Sequence, residues 1–359
     1  MQIKHIIAAI EEIAPPALQE NWDNSGLQVG DPSAECSGIL VCLDPTEAVV
    51  AEAAERGCNL VVSHHPLLFR GIKRLSGTTP VERCVVAAIK NGIAIYSAHT
   101  SLDSAEGGVS YAMATMLGAR VQRVLHTADN SLLELTVYTP RDKADEVRAA
   151  LSDASLATDA PVMMSETDRT SDAIGSDSDG LPILEITHTP LTALTIELPS
   201  HRRREAEIAL AGMGAAVSWS FKKLEEADPR TGLGVVAEFP EPLDTHAFID
   251  RVKSAFGIPV VRCNALPPDG EKISRIAMCG GAGGEFISDA VRAGVQAYIS
   301  ADIRYHDFGE WADRIFIVDA GHAETESCTK MLFVQHIKEK FANFAVYISA
   351  TEKNPINYL

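Results

Sequence analysis

The sequence predicts an α/β protein of two pseudo-repeated α/β lobes, with an α+β unit inserted between them. Three observations carry this reading. Both ends of the chain alternate short, almost wholly apolar segments with amphipathic ones, the mark of a parallel sheet covered on both faces. The two ends can be laid over each other segment by segment. The middle differs, with strand-then-helix patterns around a Ser/Asp/Gly-rich stretch.

The opening MQIKHIIAAIEEIAPP reads as an amphipathic helix closed by two prolines. Its acidic residues argue against a signal peptide. GILVCLD (38–44) is an apolar strand, and TEAVVAEAAERG (46–57) is a helix with Thr46 as cap and Gly57 as stop. CNLVVSHH (58–65) is a strand, VERCVVAAIKNG (81–92) a helix, IAIYSAH (93–99) a strand, and GGVSYAMATMLG (107–118) a helix. These fall in an N-terminal lobe, residues 1–126.

The inserted unit spans 127–229. LLELTVYTPRDKADEVRAALS predicts strand then helix, and TALTIELPSHRRREAEIALAGMGAAVSWSF strand, helix and strand. Between them, SETDRTSDAIGSDSDGLP (165–182) reads as a surface loop. Residues 230–359 form the C-terminal lobe. It opens with GLGVVAEF and the helix DTHAFIDRVKSAFG, then repeats the strand–helix rhythm from SRIAMCGG to FAVYISA.

The duplication is visible in the residues. ILVCLDPTEAVVAEAAERGCNLVVSHH matches RIAMCGGAGGEFISDAVRAGVQAYISAD, and IAIYSAHTSLD matches IFIVDAGHAETE. His99-x3-Asp103 thereby falls opposite His322-x3-Glu326.

Composition sets outer bounds. With 359 residues, 46% of them apolar, the chain is long enough for two cores. No apolar run approaches the roughly 18 residues that a membrane helix needs, so the expected location is the cytoplasm. The seven cysteines contain no CxxC pair and read as free or buried thiols, which turns any metal site towards His and carboxylate. A formal net charge of −18 disfavours nucleic-acid binding, and the short basic strip HRRRE (201–205) reads as a solvated helix face.

Chemistry concentrates at the predicted strand ends, where open α/β sheets place their ligands. His64 and His65 end one strand, His99 and Asp103 follow the next, and His322 with Glu326 follows a C-terminal one. A helix starting near His322 puts Glu326 one turn along the same face and turns Glu324 elsewhere. Imidazole and carboxylate without thiolate suit zinc, manganese, iron or cobalt. The candidates exceed what one tetrahedral ion takes, and a bridging carboxylate suits a two-metal site that activates water. CGGAGGEF (279–286) is a Gly-rich turn able either to cradle an anion or to let a helix pack closely. Asp302 and His306 occupy the pseudo-repeat position of His64, as orienting or proton-carrying groups at the same crevice, with helix capping the alternative for Asp302. Cys279 has no adjacent base to activate it.

NWDNSGLQVG (21–30), LVCLDPT (40–46), VVSHHPLLF (61–69), SAHTSLDSAEGGV (97–109), SADIRYHDF (300–308), VDAGHAETE (318–326) and NPINY (354–358) together resemble the NGG-interacting-factor-three-like family, whose members are called GTP cyclohydrolase I type 2 homologues. The resemblance implies a two-lobed core, two divalent metal ions and a toroidal homohexamer. It assigns the ligands to His64, His65, Asp103, His322 and Glu326, with Glu326 as the bridge, and leaves His99, Asp302 and His306 beside them. It also implies a PII-like (ferredoxin-like) insert, although the family's HPYEE-like stretch, due near AAVSWSF (215–221), and its Gly-Asn-Tyr segment are missing here. The expected function is a metal-dependent hydrolase of a small molecule, GTP or another nucleotide, with His99 or His306 moving protons. The alternative is a non-enzymatic metal-holding or regulatory ring whose insert senses a metabolite or partner.

Overall fold

The central parallel strands form where apolar residues run uninterrupted, and the computed structural model shows why they can. It describes residues 1–128, 131–156, 162–176, 182–268 and 270–359. In chain order the first strands are β1 (Gly26–Val29), β2 (Ile39–Cys42), β3 (Leu60–Ser63), β4 (Ala94–Ser97) and β5 (Arg120–Thr127). Every residue of β2, β3 and β4 is buried. Alternate side chains leave each strand on opposite faces, so both faces must be apolar. Ile39, Val41, Leu60, Val62, Ala94 and Tyr96 face one core, while Leu40, Cys42, Val61 and Ile95 face another under helices Glu47–Glu55 and Pro80–Lys90.

The chain divides into two compact units, Met1–Thr127 with Pro229–Leu359, and Ala128–Asp228. The smaller unit carries β6 (Leu132–Thr139), β7 (Met163–Ser176), β8 (Pro182–Pro199) and β9 (Ser218–Lys223) as one antiparallel sheet in the order β7-β8-β6-β9. Helices Ala144–Asp153 and Arg203–Ala211 bury Val147, Leu151, Ala206 and Leu210 in a core with Leu135, Val137 and Ile196. The surface loop expected over 165–182 is corrected here. Residues up to 176 pair with β8 from Thr195 to Pro182, and 177–181 lie outside the described residues. Fourteen consecutive backbone pairings outweigh the turn-rich composition that suggested a loop. HRRRE behaves as a solvated face: Arg202 pairs with Glu205, and Arg203 with Glu207 at 2.9 Å.

The larger unit continues with β10 (Gly232–Asp244), β11 (Arg262–Cys263), β12 (Lys272–Ala282), β13 (Ala297–Ala301), β14 (Phe316–Asp319) and β15 (Val346–Ile348). It holds two sheets, β1-β4-β3-β2-β15 and β11-β14-β13-β12-β10-β5. In each, three neighbouring strands are parallel and run in the same order, β4-β3-β2 and β14-β13-β12; antiparallel partners flank the second trio on both sides and the first at β1 alone. The sheets do not part the chain at one point. β5, from the N-terminal side, joins β10, and β15, near the C-terminus, pairs in parallel with β2. One core takes side chains from both sheets together with helices Ile3–Ile13, Val109–Leu117, Thr245–Phe256 and Cys328–Lys340. No helix of the described residues is long and apolar enough to cross a membrane.

Candidate metal centre

Polar residues and a glycine sit at or just beyond the ends of the parallel strands β2, β3, β4, β12, β13 and β14, and these ends come together. Asp44 follows β2; His64 and His65 follow β3; His99 follows β4, with Asp103 closing the short helix Thr100–Asp103. On the other sheet Gly281 lies in the end of β12, Asp302 follows β13, and His322 opens the helix His322–Glu326 after β14. Residues distant in sequence converge because parallel strands of both sheets present the same end.

The geometry is close. His65 Nε2 lies 2.9 Å and His322 Nε2 3.1 Å from Glu326 Oε2. His64 Nε2 lies 3.6 Å from Asp103 Oδ1 and 3.7 Å from Glu326 Oε1. Three donor groups have their ligand atoms within 4.8 Å of one another: His64, His65 and His99; His65, His322 and Glu326; His64, Asp103 and Glu326. The five residues that the resemblance selects are thus adjacent, and His99 stands with them. His306 does not: it is exposed on the helix Tyr305–Glu310, its ring 5.3 Å from that of Tyr305.

Each imidazole is fixed from behind. His64 Nδ1–H donates to the carbonyl of Ala98 at 2.9 Å, His65 Nδ1–H to Asp44 Oδ1 at 2.8 Å, His99 Nδ1–H to Asp23 Oδ1 at 2.8 Å, and His322 Nδ1–H to Asp302 Oδ2 at 2.8 Å. A carbonyl or carboxylate behind Nδ1 makes that atom the donor and aims Nε2 inward, as metal-binding histidines require. Asp302 holds a left-handed backbone, φ +53°, a conformation that non-glycine residues keep where the surroundings demand it. Of the two roles the sequence offers Asp302, it takes the orienting one, since Arg304 stands at the N-cap of the helix that follows; Asp23 and Asp44 take the same role without a sequence expectation for it. Their signal is an Asp just beyond one end of a strand, Asp44 after β2 and Asp23 before β1, where that strand pairs with a His-bearing one.

Charge is concentrated here. Burial opposes the cation on His65, but hydrogen bonds to Asp44 and Glu326 outweigh it and push the imidazole up to about 10. His322 is likewise raised, to about 9, burial being outweighed by Glu326 and Asp302. Burial raises Asp103, with His64 opposing, whereas the surrounding imidazoles overcome the burial of Glu326 and hold it well below the carboxylate range. Among the described residues, His64 Nε2 and Asp103 Oδ1 are buried polar atoms without a hydrogen-bond partner. Orphaned buried donors and acceptors are costly, and facing lone pairs need a cation between them. The donor set therefore fits divalent metal.

The Gly-rich turn serves close packing. Gly281 has φ +60°, and a Cβ there would lie 2.1 Å from Glu326 Oε1; its N–H donates to Thr325 Oγ1 at 3.1 Å. Cys279 is buried and its thiol is raised far above its usual range by burial, which removes it as a nucleophile. At the rim, the half-exposed rings of Trp22 and Phe69 lie 6.0 Å and 6.4 Å from that of His99.

The whole architecture has counterparts. A Bacillus cereus protein described as related to NIF3 superposes with a TM-score of 0.82 at 26% identity, covering 100% of this chain and 99% of that one. A Mycobacterium tuberculosis protein named GTP cyclohydrolase 1 type 2 homolog is 30% identical over 346 residues, 91% of this chain and 88% of its own length. A Bacillus subtilis protein of the same name is 29% identical over 99% of this chain and 98% of its own. Residues 1–355 match the Duf34/NIF3 (NGG1p interacting factor 3) family, and the chain belongs to that family.

Proposed function

We propose that the chain holds two divalent metal ions through His64, His65, Asp103, His322 and Glu326 and is a metal-dependent hydrolase of a nucleotide. The observation that carries this reading is the pair of buried, unpartnered atoms, His64 Nε2 and Asp103 Oδ1, beside a carboxylate shared by three imidazoles. Glu326 would bridge: its Oε1 faces His64 and its Oε2 faces His65 and His322. The chemistry that a bound divalent pair supplies is Lewis acidity, which acidifies water and polarises the bond under attack.

The chain's own residues do the rest. His99 is held by Asp23, whose Oδ2 also accepts from the Thr100 N–H and hydroxyl at 3.1 Å and 2.6 Å. That clamp leaves His99 Nε2 as the atom that accepts or returns a proton at the centre. Trp22 and Phe69 give the rim an apolar wall beside it. The names of the relatives, GTP cyclohydrolase 1 type 2 homologs, support a guanine nucleotide as first candidate. The β-α-β-β-α-β order of the smaller unit supports the PII-like reading, and the shared strand order of the two sheets supports the duplication of residues 1–126 and 230–359. The family resemblance favours self-assembly into a homohexamer, which light scattering checks against six chains of 38.5 kDa.

The test is turnover of a nucleotide panel, GTP included, by protein loaded with zinc, manganese or iron. Hydrolysis lost in His65→Ala is expected, as is a lower kcat at unchanged metal content in His99→Ala. Two bound ions without turnover on any nucleotide would leave the metal-holding ring instead.

A further inference from the structure

Residues 349–354 cross three separate parts of the larger unit, and each crossing is hydrogen-bonded. Glu52, on the helix after Asp44, accepts from the Ser349 hydroxyl at 2.7 Å and from the N–H groups of Ala350 and Thr351 at 3.0 Å each. Glu352 Oε1 accepts the backbone N–H groups of Leu43 and Asp44 at 2.6 Å and 2.7 Å, and its Oε2 accepts Lys330 Nζ at 2.8 Å. Asn354 Nδ2 donates to Glu324 Oε1 at 2.8 Å, on the helix that bears His322 and Glu326.

Glu352 is the informative one, because its side chain is 8% exposed and a buried carboxylate is costly unless its bonds are good. Its bonds are short and charge-assisted, and two of them go to the N–H groups of residues that touch His65 directly. Asp44 Oδ1 accepts from His65 Nδ1, and the Leu43 carbonyl accepts the His65 N–H at 2.9 Å. Asn354 reaches the neighbour of the opposing ligands. The segment therefore joins the strand end that holds His65 to the helix that supplies His322 and Glu326.

We propose that Glu352 is a positioning residue for the metal centre: it fixes the Leu43–Asp44 loop, and through Asp44 the inward aim of His65 Nε2. This rests on the metal-binding reading above.

The experiment is zinc affinity, measured by competition with a chromogenic chelator. If wild-type protein takes up no zinc, the metal reading itself fails, whatever Glu352 does. If wild type binds, Glu352→Ala is expected to weaken zinc affinity about tenfold or more, the scale found for outer residues of metal sites. Lys340→Ala, at the far end of the helix Cys328–Lys340 that carries Lys330, breaks a 2.6 Å ion pair to Glu12 and is expected to leave affinity unchanged. Glu352→Ala that lowers Tm but binds zinc as wild type does would overturn the proposal. Should that variant fail to fold, two milder ones decide. Glu352→Gln keeps an acceptor oxygen within reach of both N–H groups, whereas Glu352→Asp keeps the charge but withdraws it by a methylene. Better affinity in the glutamine variant supports positioning through the backbone contacts; better affinity in the aspartate variant, or none lost in either, refutes it.

Discussion

His64 Nε2 and Asp103 Oδ1 face each other at 3.6 Å, both buried and neither hydrogen-bonded. An imidazole nitrogen whose Nδ1 proton is engaged by the Ala98 carbonyl presents a lone pair, and so does the carboxylate. Asp103→Asn is therefore expected to drop the bound metal from two ions per chain to one, sparing the His65, His322 and Glu326 group. Glu326→Gln, which alters the carboxylate common to both groups, is expected to remove both. Elemental analysis after exhaustive dialysis counts the ions directly.

Second, pH separates metal-free from metal-loaded protein. His65 and His322 are raised from 6.5 to about 10 and about 9 by their carboxylate partners. A group whose folded value is raised stabilises fully below its unfolded value and loses that contribution as pH climbs through the folded one. The Tm of metal-free protein is expected to fall between pH 6.5 and 10, by on the order of 5 °C. Zinc must displace those Nε2 protons, so its affinity rises over the same window and loaded protein keeps a flatter Tm. Scanning calorimetry with and without chelator checks both.

Third, the carboxylates behind the histidines are expected to carry part of any metal affinity. Removing the acceptor of His65 in Asp44→Ala, or of His322 in Asp302→Ala, frees the ring to turn. Zinc affinity is expected to fall roughly 10–100-fold in each, measured by chelator competition. Equal affinity in Asp44→Ala would mean that the Asp44–His65 bond orients nothing.

Fourth, Gly281→Ala is expected to be costly in a particular way. Its φ of +60° disfavours a side chain, and the added Cβ meets Glu326 Oε1 at 2.1 Å. Strain of about 1–3 kcal/mol should lower Tm. Because the clash falls on Glu326, the carboxylate proposed to bridge, metal content should drop as well. Loss of Tm with full metal content would show that the carboxylate relaxes without leaving the centre.

Much of this was legible from residues alone, for a physical reason. Strands buried on both faces leave unbroken apolar runs, so β2, β3, β4, β13 and β14 stood out, and with them the polar residues at their ends. The His322–Glu326 spacing also reads directly as one helical turn, and the structure places those two side chains 3.1 Å apart. Other features were hidden because backbone pairing, not composition, produces them. The long β7–β8 pairing runs through Ser, Asp and Gly residues that favour turns in isolation. The joining of β5 to β10 and of β15 to β2 links segments far apart in sequence, for which no local pattern gives a sign. His306 was suggested by its place in the repeat, yet the helix Tyr305–Glu310 carries it to the exposed side while Asp302 turns to His322. The roles of Asp23, Asp44 and Glu352 are those of acceptors behind other groups, and an acceptor is recognised only once its donor is in place.

Anomalous scattering at the zinc edge, from crystals of zinc-loaded protein, tests the two-metal centre most directly. Two peaks are expected about 3.5–4 Å apart, the usual spacing of paired catalytic ions. One should lie among His64, Asp103 and Glu326, and the other among His65, His322 and Glu326. Zinc found only elsewhere on the chain, or no peak among these residues, would contradict the account.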